Sequence, residues 1–99
     1  MVKHIVMWQF AESALGKSFD ENFEIARARL EALTEKIPQI KLIEVRKNIL
    51  PDQKYNAVLY SEFDTAEDVE IYQNHPAHKE VAAFIAQIRT DRISADYIV

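Results

Sequence analysis

Val2–Phe10 alternates strictly. Val2, His4, Val6, Trp8 and Phe10 fall on one side, and Lys3, Ile5, Met7 and Gln9 on the other. Period two with β-branched and aromatic residues predicts a strand. The second side is also apolar at its centre, at Ile5 and Met7, where a sheet with one wet face would carry polar residues. Both faces of this strand are therefore expected to be buried. Residues 11–17 read as a loop around Gly16, the only glycine in the chain. The period then changes to helical, with Phe23, Ala26, Leu30, Leu33 and Ile37 on one stripe and charge opposite. Ser18 and Glu21 fit a capping box, and Pro38 is expected to stop this helix.

Residues 41–49 alternate Ile43, Val45, Lys47 and Ile49 against Leu42, Glu44, Arg46 and Asn48, a second and more solvated strand. A turn around Pro51 leads to a third strand over 56–63, apolar on both sides through Ala57, Leu59 and Phe63 and through Val58 and Tyr60. The short separation predicts a hairpin. Asp64 or Thr65 caps a helix carrying Ala66, Val69 and Tyr72, which should end near Asn74. Pro76 lacks a backbone N–H and is tolerated in a first helical turn, so it begins another helix with Val81, Phe84, Ile85 and Ile88 inward. A last strand is expected over 92–99.

The order β-α-β-β-α-α-β is an α+β, ferredoxin-like split βαβ pattern with a four-stranded antiparallel sheet and its second helix broken. Right-handed crossovers return both helical segments to one sheet face. Ile5, Met7, Val58 and Tyr60 are then left on the other, an apolar patch that demands a partner. Two sheets pairing face to face about a two-fold axis bury it, which predicts a homodimer.

Composition narrows the function classes. The 99 residues are expected to form one domain, 1–99. A net charge of −4 steers toward neither nucleic acid nor anionic membrane. There is no cysteine, and so no disulfide or thiolate chemistry. No run of membrane-spanning length and no signal-peptide shape is present, so the expected location is cytoplasmic.

Candidate chemistry concentrates at Tyr72-Gln73-Asn74-His75-Pro76-Ala77-His78, where a helix–break–helix corner can turn Tyr72 and His78 toward one point. With Val2-Lys3-His4-Ile5-Val6, Ser61-Glu62-Phe63 and Asp96-Tyr97, this segment resembles the stress-responsive A/B barrel (Dabb) domain over essentially the whole chain. The resemblance implies a dimeric α+β barrel. Its members include plant polyketide cyclases that close a ring by aldol condensation, and it places their catalytic tyrosine and histidine at Tyr72 and His78, with His4 matching a first-strand histidine. The chain departs from that branch at Ala57, where a cyclase has a pocket histidine, and at the bulkier Trp8.

Aldol closure needs a base beside a carbonyl and a donor for the enolate oxygen. A neutral imidazole at His78 suits the first task and the Tyr72 hydroxyl the second. Around them His4, Trp8, Phe23, Leu59, His75 and Phe84 are the expected contacts of a small apolar, carbonyl-containing ligand. Plainer roles stand beside these: His75 as a helix cap, His4 as a hydrogen-bonded core histidine, Phe23 and Phe84 as core. His75-x-x-His78 lacks the third protein ligand a zinc site needs, and no cofactor is called for. Arg89 and Arg92 have the chemistry to anchor a carboxylate ligand, with Asp91 and Asp96 as their expected ion-pair partners. Three functional classes follow: a cofactor-independent cyclase or lyase, a small-molecule binder, and a dimer whose stability is its main property. An open space beside Tyr72 and His78 would favour the first two. Filling by Trp8, Phe23 and Phe84, with His78 held by a backbone carbonyl, would favour the third.

Overall fold

The computed structural model describes residues 1–99. Strand β1 (Val2–Phe10) runs through the middle of a four-stranded antiparallel sheet of order β4-β5-β1-β6, with β4 at Leu42–Lys47, β5 at Ala57–Phe63 and β6 at Arg89–Ile98. The fold is ferredoxin-like, as the element order requires. Helix α1 (Phe19–Glu31) and the broken pair α2 (Ala66–Asn74) and α3 (Pro76–Ala86) cover one face of the sheet. That face buries Val6, Trp8, Phe10, Val45, Leu59 and Phe63 against Phe23, Ala26, Leu30, Tyr72, Val81 and Ile85.

Local chemistry sets the helix ends. Ser18 accepts from the Glu21 N–H while the Glu21 side chain accepts from the Ser18 N–H, a complete capping box. Thr65 alone caps α2 through the Asp68 N–H, with no reciprocal carboxylate. The α-helical run of α1 stops at Glu31, short of the expected Ile37. Residues Ala32–Glu35 tighten into a 3-10 turn, with the Thr34 hydroxyl donating to the Glu31 carbonyl at 2.9 Å. Leu33 and Ile37 still reach the core. The expected loop over 11–17 contains a small hairpin, β2 (Ser13–Ala14) against β3 (Lys17–Ser18). Leu15 and Gly16 between them take φ of 55° and 74°, the positive pair that suits a two-residue hairpin turn.

The other sheet face carries no helix. Register places Met7 between Val58 and Ile93, and Ile5 between Tyr60 and Ala95. Ile93 and Tyr97 are 47% and 46% exposed. The uncovered face thus has an apolar middle row that runs across three strands. No helix is long and apolar enough to cross a membrane.

The pairing of β1 with β6 is irregular at one end. Trp8 faces Arg92 and Gln9 faces Asp91, but Phe10 faces Arg89. Thr90 is the extra residue of a β-bulge, and its hydroxyl donates to Gln9. By plain alternation residues 89 and 92 would point to opposite faces. The bulge returns Arg89 to the helix-covered side, together with Arg92.

Candidate functional site

Tyr72 occupies the last turn of α2, where the 3.6-residue period that buries Val69 also turns it inward, 1% exposed. His75 ends that helix with extended backbone and caps the next, its Nδ1 accepting from the Ala77 N–H at 3.0 Å. Pro76 then fixes the first position of α3. His78 follows two residues later and lies against Tyr72, ring centroids 4.4 Å apart. The corner therefore does what its residues suggested: a helix stop, a proline start and one histidine spent on the cap bring Tyr72 and the second histidine into contact.

The His78 ring is oriented by the backbone. Its Nδ1 is 3.2 Å from the Gln73 carbonyl oxygen, which only accepts, so Nδ1 carries the proton. The lone pair is consequently on Nε2. Burial pushes the His78 imidazole below its ordinary pKa, outweighing the Gln73 bond, and neighbouring His4, Arg92 and His75 act in the same direction as burial. Burial also pushes the Tyr72 phenol far up, against a smaller opposing effect of the Arg92 charge, so the hydroxyl stays protonated as a donor.

His4 approaches from β1, 6.0 Å from Tyr72 between ring centroids and edge-on to it. Its Nδ1 is paired with Asp96 on β6, which register sets directly opposite. Only one buried side-chain polar atom in the chain is sealed without a partner, Oδ1 of Asn22. The Tyr72 hydroxyl and His4 Nε2 have no protein partner either, and both residues border one open space.

That space is a cavity of about 320 Å³ between sheet and helices, walled by His4, Val6, Trp8, Leu30, Leu59, Tyr72 and His78, with Gln73, Ala82, Ile85, Arg89 and Arg92 completing it. The structure thus mixes the two expected outcomes, an open cavity and a His78 held by a carbonyl. The carbonyl takes Nδ1 and leaves the basic nitrogen free. Trp8 does not fill the space; it stacks on Phe10 at 5.6 Å between centroids and contributes to the wall.

Of the expected ligand contacts, His4, Trp8 and Leu59 line this cavity with Tyr72 and His78. Phe23, His75 and Phe84 do not. Phe23 lies in the aromatic cluster with Phe19 at the other end of α1, under the Lys47 ammonium. Phe84 turns to the Arg29 guanidinium, 4.6 Å from its ring. His75 is committed to its cap. The expected ion pairs of Arg89 and Arg92 with Asp91 and Asp96 are also absent, because Asp91 pairs with Lys54 and Asp96 with His4. No group of three or more His, Asp or Glu side chains gathers to hold a metal.

Comparison with known proteins places this arrangement in a family. A model of the Stress responsive A/B Barrel Domain (Dabb) matches residues 2–99. A dimeric protein of unknown function with a ferredoxin-like fold from Bacteroides fragilis is 34% identical, with a TM-score of 0.86 over 99% of this chain and 95% of its own. At3g17210 from Arabidopsis thaliana is 24% identical, with a TM-score of 0.86 over 100% of this chain and 95% of its own. A hydroxynitrile lyase from Passiflora edulis shares the fold at 17% identity, with a TM-score of 0.84 over 99% of this chain and 92% of its own. No curated protein matches the chain. With the family model spanning nearly its whole length, the chain belongs to the stress-responsive A/B barrel (Dabb) domain family.

Proposed function

We propose that this protein is a homodimer in which each subunit binds a small, largely apolar, carbonyl-containing molecule in the cavity beside Tyr72 and His78. The carrying observation is the partnerless Tyr72 hydroxyl, 1% exposed as a residue, opening onto that cavity beside a free His78 Nε2. That hydroxyl bonds nothing in the protein, and facing the cavity it is free to donate to a ligand's carbonyl oxygen. The homodimer rests on the apolar row around Ile5, Met7 and Val58, and the 34% identical Bacteroides fragilis protein is dimeric.

A second reading, catalysis, is favoured by the tautomer of His78. With Nδ1 donating to Gln73, Nε2 takes a proton from the carbon beside the ligand carbonyl. The Tyr72 hydroxyl donates to the oxygen on which the enolate charge develops. Aldol-type ring closure begins with this step, whereas a lyase-type cleavage would begin with the same Nε2 taking a hydroxyl proton.

Phenylacetone, a neutral ketone with exchangeable protons beside its carbonyl, tests both readings. Trp8, the only tryptophan, lines the cavity, so its emission reports occupancy. Binding is expected to be saturable. Proton-for-deuteron exchange of bound phenylacetone in D₂O, followed by NMR, is expected to exceed background by about 100-fold. Binding without faster exchange leaves the binder and removes the enzyme. An unresponsive Trp8 removes both.

A further inference from the structure

The two arginines at the cavity are not where plain alternation puts them, nor paired as their neighbours suggest. Arg89 and Arg92 are three apart on one strand, and only the bulge at Thr90 gives them a common side. β-Bulges re-aim side chains next to functional sites in this way. Both arginines line the cavity and both are exposed, whereas Val6, Trp8, Leu59 and Tyr72 are buried. The apolar residues therefore form the floor and the guanidinium groups the mouth.

The carboxylates that would ordinarily neutralise them are engaged elsewhere. Asp91 takes Lys54, the Tyr55 hydroxyl and the main-chain N–H of Arg92 but not its guanidinium, and Asp96 takes His4. Neither Arg89 nor Arg92 forms an ion pair within the chain, whereas Arg27 pairs with Glu24 and Glu31, Arg46 pairs with Glu31 and Glu44, and Arg29 lies over the Phe84 ring. In a chain of net charge −4, the mouth of this cavity gathers two uncompensated positive charges. Its floor offers a donor hydroxyl and a neutral imidazole, and no carboxylate lines it.

We propose that Arg89 and Arg92 bind a carboxylate on the ligand, so that the occupant of the cavity is a small acid with its apolar body on the Trp8–Leu59 floor and its anionic end at the mouth. This rests on the ligand-binding reading of the cavity and adds the charge class. The planar guanidinium fork matches a carboxylate edge to edge, and a carboxylate neutralises part of the charge without a dianion's larger desolvation. Arg92 also stands close enough for its charge to be felt at Tyr72 and His78, which aligns the anionic end with the polar corner of the cavity.

Phenylacetate and phenylacetamide differ in charge at nearly constant shape, and Trp8 emission measures both. Wild type is expected to bind the acid about tenfold tighter than the amide, and raising salt should narrow the gap. In Arg89→Gln or Arg92→Gln the acid-to-amide ratio is expected to fall toward unity. Arg92→Lys should recover part of it, since charge returns without the fork. Equal affinities in wild type, with phenylacetone still bound, would overturn the charge assignment alone. Failure of phenylacetone and both other probes to perturb Trp8 would overturn it together with the cavity reading. Phenyl phosphate binding tighter than phenylacetate with the same arginine dependence would replace a carboxylate by a phosphate.

Discussion

On one side of the sheet Val6, Trp8 and Leu59 lie under three helices; on the other Ile5, Met7 and Val58 lie under nothing in the chain. Both sides are apolar, yet they are left incomplete in different ways. On the covered side a cavity remains beside Tyr72, where polar groups without protein partners meet an open space. The uncovered side has an apolar middle row and a charged margin, with Lys3 between Glu62 and Tyr97. A hole lined with polar atoms calls for a small molecule, and a flat apolar row for a surface like itself. On the proposed reading, ligand binding belongs to the covered face and self-association to the uncovered one.

The contrast between the faces breaks most visibly at Met7. Met7→Glu sets a charge in the middle of the uncovered row, and burying it in a dimer costs several kcal/mol. About a thousandfold weaker self-association is expected by analytical ultracentrifugation, with the secondary structure kept. A variant that dimerises as wild type would remove this face as the interface.

Next in size are the two groups at the cavity. His78→Ala is expected to lower phenylacetone exchange by about 100-fold. Tyr72→Phe should lower exchange too, but leave thermal stability about the same, because the hydroxyl it removes bonds nothing in the protein. A marked loss of stability in Tyr72→Phe would mean that the hydroxyl is structural. The neighbouring histidine gives the opposite signature. His75→Ala removes a cap and should cost about 0.5–2 kcal/mol in denaturant unfolding while exchange per folded molecule stays the same.

The smallest effect is that of pH. His78 has its folded-state pKa depressed below 6.5 by burial, so the unfolded chain binds the proton more readily. Its neutral form contributes stability that is fully present above about pH 6.5 and is lost as pH falls through the depressed value. The acid limb of the exchange profile should have its midpoint below 6.5, matched by the NMR titration of the His78 ring. A midpoint above 6.5 would contradict the buried, neutral base.

Much of this was legible in the residues. Period two in β1 and β5, period 3.6 in α1, and the Ser18 and Pro76 signals define the elements, since side-chain direction there follows directly from backbone repeat. The pairing of Tyr72 with His78 was legible for the same reason: both are fixed by one local corner. Phe23 and Phe84 mark the limit of periodicity. Their inward direction was correct, but an inward stripe does not say which part of a core it meets. The acidic residues nearest Arg89 and Arg92 in sequence are not their partners, because Lys54 and His4, distant in sequence, reach Asp91 and Asp96 first.

By itself the sequence determined the order of elements, the apolar character of both sheet faces and the Tyr72–His78 corner, all consequences of interactions between residues a few positions apart. Only the tertiary structure decided that a cavity survives beside Trp8, that Asp96 holds His4, and that a single extra residue at Thr90 turns Arg89 to the same side as Arg92. Each of these depends on register between strands far apart in the chain. Alternation along a strand forbids a slip of one residue, which would turn every side chain to the other face, but it does not choose among slips of two or place a bulge.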